Sequence, residues 1–400
     1  MARPLALIEP NARSMGGHHH AALVALAQAA SRRGIPVTFV GVRGMSATAR
    51  RAVEAAGGEV RLHPRGPYSW LLALAGTLLE ELSKLRRRTP SWGVPYQWET
   101  AGRCLLEAAS LRLAPAGAGC VILTAGERLH GTVAVLSRVP HVRVVHDTRT
   151  REGRVLARVE RLCASGRRRV LACCTTEAVC EELDELYPGL ATVVQTFALA
   201  DPDAAVGADE RREARAALGF GDADVVAALV GGWWRTKDMG TVERALALTA
   251  HPVHAVVAGW PIDGSALDRI RATARGQVVA LDRELEPAEI RRVYAACDLS
   301  VVSRFRGVGK ESGLVMDAAR YGVPLVVSDH DPALTALLDG LPWVRVYRAE
   351  DAAALAEALD EVAASPLERP GPEDSARLGM LTPDEALLRY AELAGDVARS

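Results

Sequence analysis

The sequence predicts an α/β protein with two doubly wound Rossmann-like domains, each a parallel sheet covered by helices on both faces. Short valine-rich apolar runs recur along the chain and alternate with stretches of helical periodicity. Most of these runs end in a polar or glycine-containing turn, which is the pattern of buried strands in parallel sheets. The 400 residues are enough for two domains of ordinary size.

The first domain is predicted over residues 1–198. Its strands are expected at the runs LALIEP, IPVTFVGV, GEVRLHP, CVILTAG, HVRVVHD and RRVLACCT. Residues 66–100 interrupt the alternation with a long apolar helix, a basic end and several tryptophans, and we interpret them as an insertion that packs on this domain. The same composition suits a peripheral membrane contact through residues 68–88, which stays open as the alternative.

The second domain is predicted over residues 199–378. The alternation pauses in the polar, alanine-rich stretch 196–222 and restarts at the runs VVAALVGG, HAVVAGW, QVVALDR, LSVVSRF and PLVVSD. Residues 379–400 close the chain with an amphipathic helix, which is expected to start at a cap formed by Thr382 and Pro383.

Composition narrows the classes of function. Lysine and arginine (48) nearly balance aspartate and glutamate (49), which leaves a formal charge of −1, so no nucleic-acid partner is indicated. The start MARPLALIEPN lacks the long apolar stretch of a signal peptide, and we expect a cytoplasmic protein. The seven cysteines form no spaced framework and are expected to be buried, reduced thiols, and no metal site is expected.

Ligands of open parallel sheets bind beyond the carboxyl ends of the strands, so the turns there are the candidate site. Gly16 and Gly17 precede a helix whose N-terminus favours an anion or a hydroxyl-rich group, although a glycine pair is more often only a tight turn. His146 and Asp147 end another strand, where a histidine is functional about as often as structural.

Three turns in the second half of the chain contain charged side chains, an aromatic residue or a helix start, all of which suit ligand binding. The turn VGGWWRTKD places Arg235 and Lys237 after a strand, where two cations suit a diphosphate; a solvated basic turn is the alternative. The turn VAGWPID could hold a flat ring. In GVGKESGLVMDAARYGVPLVVSD, the backbone amides at a helix start would hold phosphates, and Asp317, one helical turn further in, could reach the hydroxyls of a ribose.

In this order the turns resemble those of the retaining, nucleotide-sugar-dependent glycosyltransferases of family 4 (glycosyl transferases group 1), over nearly the whole chain. The resemblance implies the GT-B fold, in which two Rossmann-like domains face a central cleft and a C-terminal helix crosses back to the N-domain. It also implies transfer of a sugar from a UDP-, GDP- or dTDP-sugar to a hydroxyl acceptor, which could be a natural product, a glycan or a lipid-linked molecule. The expected partners are small molecules, without a further cofactor, and the chain is expected as a monomer or homodimer.

The residues themselves and the resemblance together predict roles for individual positions. The expected catalytic residues are His146, Arg235, Lys237 and Glu311. The expected donor-binding residues are Gly16, Gly17, Gly232, Arg235, Lys237, Gly259, Trp260, Lys310, Glu311, Ser312, Gly313, Leu314 and Asp317. The expected acceptor-binding residues are His18, His19, Trp70, Trp98 and Asp147.

The sequence departs from the family pattern at three positions of the donor site. Gly232 stands where the family usually has an arginine. The family also has a pair of glutamates in this site. The first of them is missing here, with Glu311 as the nearest carboxylate, and the second is replaced by Asp317. Two other functions therefore stay open. One is a nucleotide-sugar epimerase or sugar phosphorylase on the same fold, and the other is a sugar-nucleotide binder without catalytic activity.

Overall fold

The computed structural model describes residues 4–10, 18–86, 94–148, 153–201, 204–308 and 312–399 of the chain. These residues divide into two compact units. The first unit holds most of the chain up to Leu199 together with Leu381–Ser400, and the second unit holds Ala200–Met380. Each unit is built on its own sheet.

The sheet of the first unit has seven strands in the order β3-β2-β1-β4-β5-β6-β7, and its strand pairs are parallel. The strands are β1 (Leu5–Ile8), β2 (Val37–Val40), β3 (Glu59–Arg61), β4 (Gly119–Ile122), β5 (His141–Val145), β6 (Val170–Cys174) and β7 (Ala191–Val194). The central strands are buried along their whole length, as strands covered on both faces must be.

Helices cover both faces of this sheet. They are α1 (His18–Arg33), α2 (Ala47–Ala55), α3 (Pro67–Arg86), α4 (Val94–Leu111), α5 (His130–Ser137), α6 (Arg154–Leu162) and α7 (Glu177–Leu186). Apolar side chains of α1 pack on one face, whereas side chains of α4, α5 and α7 pack on the other. The unit is therefore a doubly wound sheet.

The expected insertion at residues 66–100 contains α3 and the first part of α4. The two helices cross very closely, because a Cβ atom on Gly76 would lie 2.8 Å from the carbonyl oxygen of Gly102. Helix α4 continues to Leu111 and buries Cys104 and Leu111 against the sheet. Helix α3 is thus an outer helix, held on the unit by α4.

The second unit repeats this architecture with six parallel strands in the order β10-β9-β8-β11-β12-β13. They are β8 (Val225–Val230), β9 (Val253–Gly259), β10 (Val278–Asp282), β11 (Leu299–Val302), β12 (Leu325–Ser328) and β13 (Val344–Tyr347). The helices are α8 (Ala208–Leu218), α9 (Met239–Leu248), α10 (Gly264–Thr273), α11 (Pro287–Ala296), α12 (Gly313–Arg320), α13 (Pro332–Leu338), α14 (Ala352–Ala364) and α15 (Pro372–Arg377).

Helix α16 (Pro383–Val397) closes the chain and packs on the sheet of the first unit, as predicted. The predicted cap is confirmed: Thr382 Oγ1 accepts a hydrogen bond from the backbone amide of Glu385, and the Glu385 carboxylate accepts one from the amide of Thr382. Arg32 and Arg33 of α1 hold Asp384 at 2.6 and 2.7 Å. The helix is therefore fixed at its first turn.

The two parallel sheets with helices on both faces confirm the predicted α/β class. The cysteines are free, as expected, but Cys163 and Cys180 are only partly buried. Among the described helices, none has both the length and the apolar composition needed to cross a bilayer.

Helix α16 offers a test of this packing. Leu387 is fully buried against the first sheet, whereas its neighbour Leu388 is 44% exposed. We expect Leu387→Ala to lower the free energy of unfolding of the first unit by about 2–5 kcal/mol, because it leaves a cavity in the core. Leu388→Ala should change it by less than about 1 kcal/mol. Urea denaturation followed by circular dichroism measures both, and equal effects would contradict the packing of α16.

Candidate functional site

The turns after β8, β9 and β11 are joined to one another at the carboxyl edge of the second sheet. The amide of Gly231, after β8, donates to the carbonyl oxygen of Ala258 in β9 at 2.7 Å, and the amide of Trp233 donates to that of Pro261 at 2.7 Å. The turn after β8 also bridges to the turn after β11, where Lys237 pairs with Arg304 in a short antiparallel contact. These backbone bonds give the three turns a defined arrangement.

Lys237 lies inside this arrangement. Its Nζ atom donates hydrogen bonds to the carbonyl oxygens of Val230 at 2.5 Å and Gly231 at 2.8 Å. Among the described residues it forms no ion pair with a carboxylate. Burial, together with the smaller effect of the nearby Arg304 guanidinium, lowers the pKa of Lys237 to about 7. The protonated amine is thus only partly stabilised by the protein.

Arg304 supplies a second positive charge next to Lys237. Its side chain is buried, its Nη1 atom lies 3.4 Å from Thr236 Oγ1, and its backbone amide donates to Ser328 Oγ at 3.1 Å. A pocket at this edge of the sheet is lined by Leu229, Val230, Trp233, Lys237, Met239, Val242, Val301, Val302, Ser303, Arg304 and Leu314. The pocket thus combines an apolar wall with two cations.

Glycines are needed where the turns after β8 and β9 touch. A Cβ atom on Gly232 would lie 2.3 Å from the carbonyl oxygen of Trp260, which is closer than any side chain can approach. Gly231 and Gly259 have φ angles of +85° and +135°, which residues with side chains rarely adopt. The glycine pair after β8 therefore serves close backbone contact, and Gly232 contributes no charge of its own.

The start of α12 forms another side of the site. Ser312 is buried at the N-cap position, and its hydroxyl has no hydrogen-bond partner among the described residues. Gly313 is the first helical residue, and Leu314 lines the pocket next to Lys237. The first turn of this helix therefore borders the pocket that contains both cations.

Asp317 lies further along α12 and is mostly buried. Its carboxylate lies 3.4 Å from Nη1 of Arg320. The rings of Tyr294 and Tyr321 stack with centroids 4.9 Å apart. The pKa of each phenol is raised, mainly by burial and to a smaller extent by the nearby Asp317 carboxylate. The carboxylate is thus close to two phenols and one guanidinium.

The remaining donor-side candidates differ in exposure. Trp260 is 57% exposed and Arg235 is exposed, so both side chains lie at the surface of the second unit. Gly16, Gly17, Lys310 and Glu311, together with the side chains of His18 and His19, lie outside the described residues.

In the first unit, His146 follows β5 at the carboxyl edge of that sheet. Its Nε2 atom lies 3.1 Å from the carbonyl oxygen of Leu123, and its ring packs edge-on against Phe197 with centroids 4.6 Å apart. Asp147 follows it and is partly buried. Trp70 is 56% exposed on α3, and Trp98 is partly buried on α4. These candidates lie on three separate elements.

Sequence reasoning missed Arg304 and His330. Arg304 directly follows the run LSVVS, so a cation after a predicted strand was the available signal. His330 is buried after β12, where its Nδ1 atom lies 2.9 Å from Ser328 Oγ and its carbonyl oxygen accepts from the amide of Gly307 at 2.9 Å. Burial lowers its pKa. It supports the turn that carries Arg304, and no sequence pattern marks it.

Among the described residues, no group of three or more histidine, cysteine, aspartate or glutamate side chains could hold a metal ion. The expected absence of a metal site stays a prediction, since part of the chain lies outside this description.

Comparison with other proteins concerns the fold. No family model and no curated protein sequence matches the chain. Several solved structures do match it along their whole length. A glycosyltransferase from Rickettsia africae ESF-5 has a TM-score of 0.66 at 10% identity, with 100% of this chain and 99% of that chain covered.

Two further structures carry more specific descriptions. Alr3699/HepE from Anabaena, in complex with UDP and glucose, has a TM-score of 0.62 at 14% identity, with 100% of both chains covered. WaaG, a glycosyltransferase involved in lipopolysaccharide biosynthesis, has a TM-score of 0.58 at 14% identity, with 99% of this chain and 100% of that chain covered. The chain therefore has the GT-B fold found in these glycosyltransferases.

Proposed function

We propose that the protein is a glycosyltransferase that moves a sugar from a nucleoside-diphosphate sugar to a hydroxyl acceptor with retention of configuration. The observation that carries this proposal is the placement of Lys237 beside Arg304 at the carboxyl edge of the second sheet. Two cations beside each other, next to the first turn of a helix, suit the negative charge of a diphosphate. The GT-B fold, which HepE shares in its complex with UDP and glucose, supports the same function.

The donor would be held by the second unit. We assign its diphosphate to Lys237, Arg304 and the backbone amides at the start of α12, with Arg235 entering from the exposed turn. Asp317 is assigned to the ribose and Trp260 to the base, with uridine as the first base to test. The domain roles follow: residues 199–378 bind the donor, residues 1–198 bind the acceptor, and residues 379–400 form the helix that returns to the first domain.

The chemistry that this arrangement supports is electrostatic. The bond between the anomeric carbon and the diphosphate oxygen breaks while the acceptor oxygen bonds to the same face of the sugar. The leaving diphosphate oxygen takes the acceptor proton, and the cations stabilise the negative charge that develops on it. His146 and Glu311 are assigned to the transferred sugar. Because the protein supplies two cations for the leaving group, the proposed reaction needs no metal ion.

The acceptor is a separate part of the proposal. Trp70, Trp98, Asp147, His18 and His19 are the side chains that we assign to it. Aromatic side chains in this set suit a saccharide ring or an apolar aglycone, so a glycan, a natural product and a lipid-linked sugar are the classes to screen. A homodimer or a monomer is expected.

The reaction itself is tested with purified protein and a panel of UDP-, GDP- and dTDP-sugars. Thermal shift identifies the donor, because a bound ligand raises the apparent melting temperature. Mass spectrometry then follows transfer to candidate acceptors. Epimerisation of the sugar nucleotide, or phosphorolysis without any acceptor hydroxyl, would favour an epimerase or phosphorylase, and binding without transfer or hydrolysis would favour a silent binder; either result contradicts the proposal.

Substitution separates the diphosphate contact from the ribose contact. We expect Lys237→Met to weaken binding of both UDP and inorganic pyrophosphate by roughly 10- to 100-fold, because hydrogen bonds to charged groups are strong. Isothermal titration calorimetry measures both ligands. Lys84→Met is the matched control, because Lys84 is exposed on α3 in the other unit. Unchanged pyrophosphate binding in Lys237→Met would refute the diphosphate assignment.

Asp317→Asn should give a different pattern. If the carboxylate accepts hydrogen bonds from the ribose, UDP binding weakens by roughly tenfold while pyrophosphate binding is unchanged. The same calorimetric titrations measure this difference. Equal losses for the two ligands would mean that Asp317 supports the fold of α12 through Arg320 and does not contact the ribose.

Protonation of Lys237 should be linked to donor binding. Its pKa of about 7 leaves the amine mostly neutral at about pH 8, and a diphosphate nearby raises this pKa, so the complex takes up a proton there. Affinity for UDP-glucose should therefore fall as the pH rises above about 7. Calorimetry at about pH 8 in buffers of different ionisation enthalpy measures the uptake. Uptake that persists in Lys237→Met would assign the proton to another group.

A further inference from the structure

We propose that the first unit docks on an anionic lipid surface through the outer faces of α3 and α6. This inference does not depend on the proposed transfer reaction. It rests on two exposed stripes of apolar side chains, on the arginines that flank one of them, and on the side of the sheet that both helices cover.

The first stripe runs along α3. Leu71, Leu74, Leu78 and Leu82 recur every three or four residues, with Trp70 beside them, and all five are exposed, Leu74 by 68%. They extend over about 18 Å of helix. Among the exposed side chains between Pro67 and Lys84, only Glu81 and Lys84 are charged. A surface helix of a soluble protein normally presents polar residues on this face, so the stripe is suited to a contact outside the unit.

The second stripe runs along α6 and is flanked by positive charge. Val155, Val159 and Leu162 are exposed by 68%, 37% and 79%, at a spacing of four and three residues. The exposed arginines beside them and in the following 3-10 turn are Arg154, Arg158, Arg161, Arg168 and Arg169. None of these five forms an ion pair within the part of the chain that the structure describes. The acidic residue of α6, Glu160, is buried and paired with Arg167 at 3.0 Å.

Both helices belong to an outer layer on one side of the first sheet. Helices α4 and α5 pack on the same sheet face. Helix α3 packs on α4, and Tyr68 Oη donates to the carbonyl oxygen of Leu136 at the end of α5. Helix α6 covers the start of α5, where the Glu160 carboxylate accepts from the amide of Gly131 at 2.9 Å. Both stripes therefore belong to helices on the same side of the first sheet.

An anionic bilayer matches these features together. Apolar side chains can enter the boundary between headgroups and acyl chains while arginines beside them bind lipid phosphates. A nucleic acid would pair with the arginines but leave the leucines of α3 in water. A second copy of the chain, meeting α6 symmetrically, would set its arginines against their own copies. Lipid is thus the partner that satisfies both the charge and the apolar surface.

The test uses the full chain with two kinds of vesicle, one of phosphatidylcholine and one of equal parts phosphatidylcholine and phosphatidylglycerol. We expect flotation of the wild-type protein with the anionic vesicles, with less binding in high salt and little binding to the neutral ones. The double variants Arg158→Glu/Arg161→Glu and Leu74→Ser/Leu78→Ser should each weaken the association by roughly tenfold or more. Circular dichroism checks that both variants fold.

Matched controls carry the same changes elsewhere on the first unit. Arg51→Glu reverses the charge of an exposed side chain on α2, and Leu388→Ser replaces an exposed leucine of α16. Both variants should bind vesicles as the wild type does. Absence of binding to anionic vesicles at low salt would overturn the proposal. So would a lipid-free dimer, detected by light scattering, that Leu74→Ser/Leu78→Ser dissociates, because the stripe would then be a contact between copies.

Discussion

The two hydrogen bonds from Lys237 Nζ to the carbonyl oxygens of Val230 and Gly231 organise the candidate site. They draw the amine inward over the end of β8, while the backbone of Lys237 pairs with Arg304 in the turn after β11. The turn after β9 has to approach closely, which is why Gly232 cannot carry a side chain against the carbonyl oxygen of Trp260. Backbone contacts thus join three turns at one edge of the second sheet and place Lys237 beside Arg304.

That arrangement has an electrostatic consequence. Carbonyl oxygens stabilise an ammonium group less than a carboxylate does, and burial next to Arg304 makes the charged form of Lys237 more costly still. An anion bound at this edge would relieve that cost. A site built in this way is organised before its ligand arrives, and this is the property that stabilises charge developing on a leaving group. His330 and Ser328 contribute by holding the turn that carries Arg304.

The first unit has an inner and an outer layer of helices on one side of its sheet. Its core helices cover the sheet, whereas α3 and α6 lie outside α4 and α5 and turn apolar side chains to solvent. The close crossing at Gly76 and Gly102 holds α3 in place although much of its surface is not buried. Helix α6 buries its acidic residue and exposes its arginines, so its outer surface is positively charged although the chain as a whole is nearly neutral.

Local patterns were enough to predict the alternation of strands and helices, the Thr382 cap and the cationic turn at Lys237, because each depends on a few neighbouring residues. The edge strands β7 and β13, each of four mostly exposed or partly buried residues, were not predicted. Arg304, His330 and the crowding at Gly232 required the folded chain. Strand order brings the turns after β8, β9 and β11 to one edge, and no spacing along the sequence specifies which turns will meet or which side chains they will bury.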